Sequence, residues 1–92
     1  MGILASVTQQ TLDIRDYDIN FGDWFPVTDT ITGVVITSAP VGLVVGYALL
    51  TPVIKVWVQS GANGVTYKIT ILAETYDGRA KEVELKVKIK DY

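Results

Sequence analysis

The sequence predicts an all-β domain built as an antiparallel sandwich, and three observations lead to this prediction. Two runs of alternating apolar and polar residues, 65–74 and 82–90, flank an Asp-Gly pair, a pattern typical of a β-hairpin with one buried face. The composition is 49% apolar, with the β-branched and aromatic types that favour strands. No stretch of useful length has the period of a helix.

The hairpin has a predicted register. A two-residue Asp77-Gly78 loop would place Lys68 on the apolar face, whereas a three-residue loop that includes Tyr76 avoids this. The pairs are then Ile71 with Val83, Ile69 with Leu85, Tyr67 with Val87 and Val65 with Ile89. We therefore predict a type I turn plus bulge, with positive φ at Gly78. Lys68 then faces Lys86, and the diagonal Glu84 relieves part of the repulsion.

The N-terminal third contains the first strand and a turn. Residues 1–10 have no clear period and are interpreted as a flexible or docking arm, with residues 11–92 as a single domain. The first strand is expected within 12–21, with Ile19 facing inward. Trp24 and Phe25 then suggest a strand-end turn whose rings cover one end of the core. A ligand platform is the alternative.

Three more strands are expected before the hairpin. Residues 30–38 are β-branched, and Gly33 within them indicates a bulge or close backbone contact. Strands over about 43–49 and 53–58 are joined by a tight turn near Pro52. Pro52, Lys55 and two glycines interrupt this apolar region, which excludes a membrane span of about 20 apolar residues. About 6–7 short strands at regular spacing favour an immunoglobulin-like sandwich.

Composition excludes several functions. The 92 residues contain no cysteine or histidine, so a disulfide framework, a thiolate metal site and the commonest general base are absent. The net charge of −2 and the lack of a basic cluster disfavour nucleic-acid binding. The aspartates do not have the spacing of a calcium loop: Asp13, Asp16, Asp18, Asp23 and Asp29. We expect no enzyme, metal, cofactor or small-molecule substrate.

The apolar run 43–50 is the strongest functional signal from the residues themselves. Both faces of this strand are apolar, so burying one face exposes the other in a lone molecule. Contact with another subunit is one interpretation, and cover by the arm or by long loops is the other. The candidate contact residues are Ile3, Leu4, Val44, Tyr47, Leu49 and Leu50.

The order of several short motifs resembles a known family. They are DYDIN at 16–20, DW at 23–24, TDTIT at 28–32, PVGLVV at 40–45, VWVQSG at 56–61, and GVTY at 64–67 leading to Thr75 and Gly78-Arg79. This series resembles the small tailed-bacteriophage proteins often labelled fibre-tail adaptors. The chain departs from that pattern at Ala62, where the family usually has glycine. It also departs in the apolar strand near 43–53, which is usually rich in Ser and Thr.

The resemblance implies a virion structural protein. Such a protein adapts, joins or decorates tail, neck or head components by protein–protein contact, in a multi-copy assembly formed in the host cytoplasm. The family brings no catalytic residues. The alternative is a carbohydrate-binding sandwich on a fibre or cell surface, which requires exposed aromatic side chains. The candidates are Trp24, Phe25, Tyr47 and Trp57.

Overall fold

The part of the chain that the structure describes folds into seven strands in two sheets. The computed structural model describes residues 3–91, and their side chains except those of residues 3–5 and 44. The strands are β1 (Ile3–Gln9), β2 (Ile14–Asn20), β3 (Ile31–Ala39), β4 (Val44–Leu50), β5 (Val53–Gln59), β6 (Thr66–Thr75) and β7 (Ala80–Ile89). The four-stranded sheet has the order β1-β7-β6-β3, and the three-stranded sheet has the order β2-β5-β4. The predicted all-β sandwich is confirmed.

The core lies between the two sheets. Side chains alternate between the faces of a strand, so every second residue of β5, β6 and β7 points inward. These inward residues are Ile54, Val56, Val58, Tyr67, Ile69, Ile71, Ala73, Val83, Leu85, Val87 and Ile89. Each fully buried aliphatic side chain among them contributes roughly 1.5–3 kcal/mol of hydrophobic stabilisation. Phe21 and Phe25 close one end of the core, with their rings stacked 6.0 Å apart.

The β6–β7 hairpin has the register predicted from the sequence. Ile71 pairs with Val83 and Ile69 with Leu85, and the turn closes with a 2.8 Å hydrogen bond from Thr75 N to Arg79 O. Gly78 has a φ of 88°, a conformation that glycine adopts without steric cost. Lys68 pairs with Lys86 on the outer face. The Lys68 ammonium lies 3.9 Å from the Glu84 carboxylate, the diagonal contact expected to reduce the repulsion.

The N-terminal segment differs from the expected arm. Ile3–Gln9 forms β1, which runs parallel to β7 at the edge of the four-stranded sheet. The segment had no clear period because Gln9, a polar residue, takes an inward position and is 2% exposed. It lies between the sheets, where its side-chain amide donates to Val58 O at 3.3 Å and accepts from the Tyr17 hydroxyl at 2.8 Å. Burial raises the pKa of Tyr17, so the hydroxyl stays protonated as a donor.

The buried carboxylate of Asp29 links the loop between β2 and β3 to the hairpin turn. The Asp29 side chain accepts hydrogen bonds from the backbone N–H of Thr30 at 2.9 Å and of Asp77 at 3.2 Å. The Arg79 guanidinium contacts it at 2.9 Å. Burial acts to raise the pKa of Asp29, but hydrogen bonds from Thr75, Arg79 and the two backbone N–H groups outweigh it, so the pKa is lowered. The ionised form therefore stabilises the turn.

The loop before β6 packs closely on the core. The Tyr67 hydroxyl accepts a 2.9 Å hydrogen bond from Ala62 N, which draws the loop onto the tyrosine ring. A methyl group added at Gly61 would collide with Ile89 Cγ1 and would lie 2.9 Å from Tyr67 Cε2. Only glycine therefore fits at position 61 without movement of the core.

Gly61→Ala should lower the free energy of unfolding by about 1–3 kcal/mol, because the added methyl overpacks the contact with Ile89 and Tyr67. Urea denaturation followed by tryptophan fluorescence measures the change. Gly46→Ala is the matched control, since an added Cβ there has no atom of the described structure within 4 Å. Equal stabilities of the two variants would contradict the packing argument.

Asp29→Asn should remove part of the acid sensitivity of folding. The folded-state pKa of Asp29 is lowered from 3.8, so its stabilisation is complete above that pH and is lost as the pH falls through the folded-state value. The wild-type denaturation midpoint should fall toward that of the variant as the pH is lowered through 3.8 and below.

The matched control for this pH series is Asp23→Asn. Asp23 is exposed and has no hydrogen bond or ion pair within residues 3–91. The control variant should keep the wild-type pH profile, with midpoints measured in urea at each pH. An unchanged slope in Asp29→Asn would show that Asp29 is not the group responsible.

Candidate interaction surface

The outer face of the three-stranded sheet carries several large apolar side chains that are exposed to solvent. Because Ile54, Val56 and Val58 of β5 point into the core, the alternate residues of β5 and of its two neighbours point outward. We call this surface the Trp57 face. The residues of this face whose side-chain positions are described, together with Gly46, are Ile14, Asp16, Asp18, Asn20, Ala48, Leu50, Val53, Lys55, Trp57 and Gln59.

Apolar side chains on this face are open to solvent. Ile14 is 65% exposed, Leu50 is 63% exposed and Trp57 is 43% exposed. Trp57 stands at the centre, between Asp16 on β2 and Gly46 on β4. Among the described residues, no atom lies within 4 Å of the position that a Gly46 Cβ atom would take, so one side of the indole borders open space. A large aromatic side chain with free space beside it is suited to packing against another protein.

An ion network lies on the same face beside Trp57. The Lys55 ammonium is 2.8 Å from Asp16 and 3.1 Å from Asp18, and it lies 5.9 Å from the centre of the Trp57 ring. The hydrogen bond from Lys55 lowers the pKa of Asp16, and the hydrogen bond to Asp16 raises the pKa of Lys55. Asp16 and Lys55 are therefore charged at neutral pH. They supply directional polar contacts around an aromatic centre.

The structure divides the candidate contact residues predicted from the sequence between two faces. Tyr47 and Leu49 pair with Val56 and Ile54 on the core side of the sheet, and Leu49 packs partly against the core. Tyr47 is 51% exposed despite this orientation, and Leu50 lies on the Trp57 face. The side chains of Ile3, Leu4 and Val44 are outside the described part of the structure.

Sequence reasoning missed the centre of the surface. Trp57, Val53 and Ile14 were not among the candidate contact residues, although they share one face with Leu50. The signal was present in the alternation of 53–58, because burial of Ile54, Val56 and Val58 requires the residues between them to point outward.

The Trp24–Phe25 pair closes the core at one end of the sandwich. Phe25 is 8% exposed and belongs to the core. The Trp24 ring lies edge-on to Phe21 at 5.3 Å, and the Lys81 ammonium lies 5.2 Å from its centre. These contacts fit a lid on the core rather than an open ligand platform.

An apolar cleft of about 280 Å³ lies at the same end of the sandwich, beside Phe25, Pro26, Val27 and Pro52. Its single titratable lining group is Asp29, whose carboxylate is already bonded to Arg79 and to backbone N–H groups. Across residues 3–91, no group of three acidic residues is arranged to hold a metal ion. No helix in this part of the chain is long and apolar enough to cross a membrane.

Comparison with known proteins identifies a family that the chain matches. The sequence model of the family described as podophage GP4 fiber-tail adaptor protein gp77 matches residues 9–88 of this chain. The match covers all of β2 to β6 and most of β7. No curated protein matches the chain. The family match confirms the resemblance that the ordered motifs indicated.

Proposed function

Because the chain belongs to the podophage GP4 fiber-tail adaptor family, we propose that it holds a fibre component to the tail through the Trp57 face. Family membership makes it a phage structural protein that joins components of the virion and binds other virion proteins. A structural adaptor family also suggests that the chain is not an enzyme. Assembly in the host cytoplasm and a multi-copy arrangement are part of the proposal.

The exposed Trp57 side chain carries the assignment of the contact surface. Protein interfaces are enriched in aromatic residues, which contribute most when a partner excludes water from them. Trp57 has apolar neighbours at the two ends of the face, Ile14 and Leu50, and an ion network beside it. A partner that covers this face would bury the indole at the centre and leave the polar groups at its margin.

The sandwich suits a purely mechanical task. The inward apolar side chains of β5, β6 and β7 are buried, and no buried side-chain polar atom in the described residues lacks a hydrogen-bond partner. A fully satisfied, closely packed interior resists deformation, so a contact surface built on its strands keeps its shape when load passes from one component to the next.

Two observations support the immunoglobulin-like part of the fold expectation. The orders β2-β5-β4 and β3-β6-β7 correspond to the B-E-D and C-F-G strands of an immunoglobulin sandwich. Tyr67 lies near the start of β6, and its hydroxyl bonds to the backbone of Ala62, five residues upstream. That contact has the geometry of the tyrosine corner found in such sandwiches. We propose an immunoglobulin-like adaptor on these grounds.

Trp57→Ala should weaken binding to the fibre component by about 30-fold or more, because truncation of a central aromatic side chain typically costs at least 2 kcal/mol. The measurement is a titration of the purified chain against the purified tail and fibre proteins of the same phage. Tyr76→Ala is the matched control, since Tyr76 is 82% exposed but lies in the hairpin turn. The control should bind like the wild type.

Equal binding by the Trp57 and Tyr76 variants would reject the Trp57 face as the contact surface. A glycan panel, followed by tryptophan fluorescence, tests the carbohydrate alternative on the same proteins. Glycan binding that is lost in Trp57→Ala, together with unchanged binding to tail and fibre proteins, would favour that alternative over the adaptor.

A further inference from the structure

The open edge of the three-stranded sheet is a second surface with a specific geometry. Among the described residues, β4 is hydrogen-bonded on one side only, to β5. We propose that β4 pairs with β4 of a second copy of this chain, antiparallel about a two-fold axis at Tyr47. The two three-stranded sheets would then form one continuous six-stranded sheet. This inference does not rest on the adaptor assignment.

The edge of β4 lacks the features that keep other edges from pairing. Exposed edges are normally protected by charges, prolines or bulges. The edge strand β2 carries Arg15, Asp16 and Asp18, and the register of both β1 and β3 is interrupted by an irregularity. In contrast, Val44–Leu50 has no charge and no proline, and it pairs with β5 in an unbroken register. A second strand can therefore extend the sheet without interruption.

The sequence of β4 favours a second copy as the occupant. An antiparallel pairing centred on Tyr47 uses all seven residues of the strand. It sets Gly46 opposite Ala48, two small residues, and it sets Val45 opposite Leu49, two branched aliphatic residues. Position 44 then faces Leu50, and Tyr47 faces its own counterpart. Large side chains thus meet large ones and small meet small, with no charge brought into the seam.

The pairing also accounts for the exposure of the Tyr47 side chain. Tyr47 points toward the core side of the sheet and yet is 51% exposed, because no strand within residues 3–91 pairs with the outer edge of β4. A second copy would cover it with an equivalent ring. On the opposite face, Gly46 and the partner's Ala48 would leave a shallow strip of small residues at the seam.

A single introduced cysteine tests this axis directly, because the chain has no cysteine of its own. In directly opposed antiparallel pairs the Cα atoms are about 4.5–5.5 Å apart, which is within the disulfide range of about 4.4–6.8 Å. Tyr47→Cys should therefore form a covalent dimer under mild oxidation, and the dimer should not form when the chain is first unfolded in urea.

Ala48→Cys is the matched control for the cross-link. It lies on the same strand but off the axis, so its two copies would be offset by two residues along the strand and separated by about 8 Å, too far for a disulfide. Cross-linking at position 48 but not 47, or equal cross-linking at both, would overturn the proposed register.

Sedimentation velocity over a range of concentrations tests the association without a cross-link. The wild type should dimerise, and Ala48→Glu should weaken the association by roughly tenfold or more, because it brings two carboxylates to the seam. The new carboxylate lies beside Lys55, so the lone chain should tolerate it. Val35→Glu, on the outer face of the other sheet, is the control and should dimerise normally.

A wild type that stays monomeric at all concentrations would overturn the proposal. So would a dimer that Val35→Glu disrupts and Ala48→Glu does not. Circular dichroism confirms that each variant is folded before it is compared. None of these readouts uses the tail or fibre proteins, so failure of the adaptor assignment and failure of self-association are distinguishable.

Discussion

The pairing of β6 with β7 is the constraint on which the rest of the sandwich depends. These two strands form the centre of the four-stranded sheet, and β1 and β3 pair with their outer sides. A slip of one residue would turn either Lys68 of β6 or Lys86 and Lys88 of β7 toward the core, and it would turn the aliphatic residues of that same strand toward water. The turn prevents this slip, since Gly78 has the positive φ that its geometry requires and Asp29 holds the turn from outside.

Two buried polar side chains connect segments of the chain that the hydrophobic core alone would not hold in a fixed position. Gln9 links the edge strand β1 to β5 of the opposite sheet, and Asp29 links the β2–β3 connection to the hairpin turn. Each of these buried groups has hydrogen-bond partners. Its burial therefore fixes the orientation of the two linked segments and leaves no buried polar atom unpaired. The result is a sandwich with fixed ends, on which exposed strands keep a defined shape.

An adaptor of this size must use its outer surfaces, because its interior is filled by its own core. The Trp57 face and the edge of β4 are adjacent surfaces of one sheet, and they differ in chemistry. The face combines an exposed indole with an ion network, whereas the edge offers backbone hydrogen-bonding groups and uncharged side chains. A face can be covered by one kind of protein while the edge pairs with another strand, so the two contacts do not exclude each other.

The sequence by itself determined the all-β fold class, the register of the β6–β7 hairpin, the inward position of Ile19 and the family. These depend on local alternation, on turn chemistry or on the order of motifs, all of which are visible in one dimension. Tertiary structure decided that residues 3–9 form a strand, because its partner is 80 residues away and its buried glutamine resembles a solvent-facing residue. It also decided which apolar residues of 43–58 share a face. That outcome follows from the pairing of β4 and β2 with β5, which brings Ile14 and Trp57 together across more than 40 residues of chain.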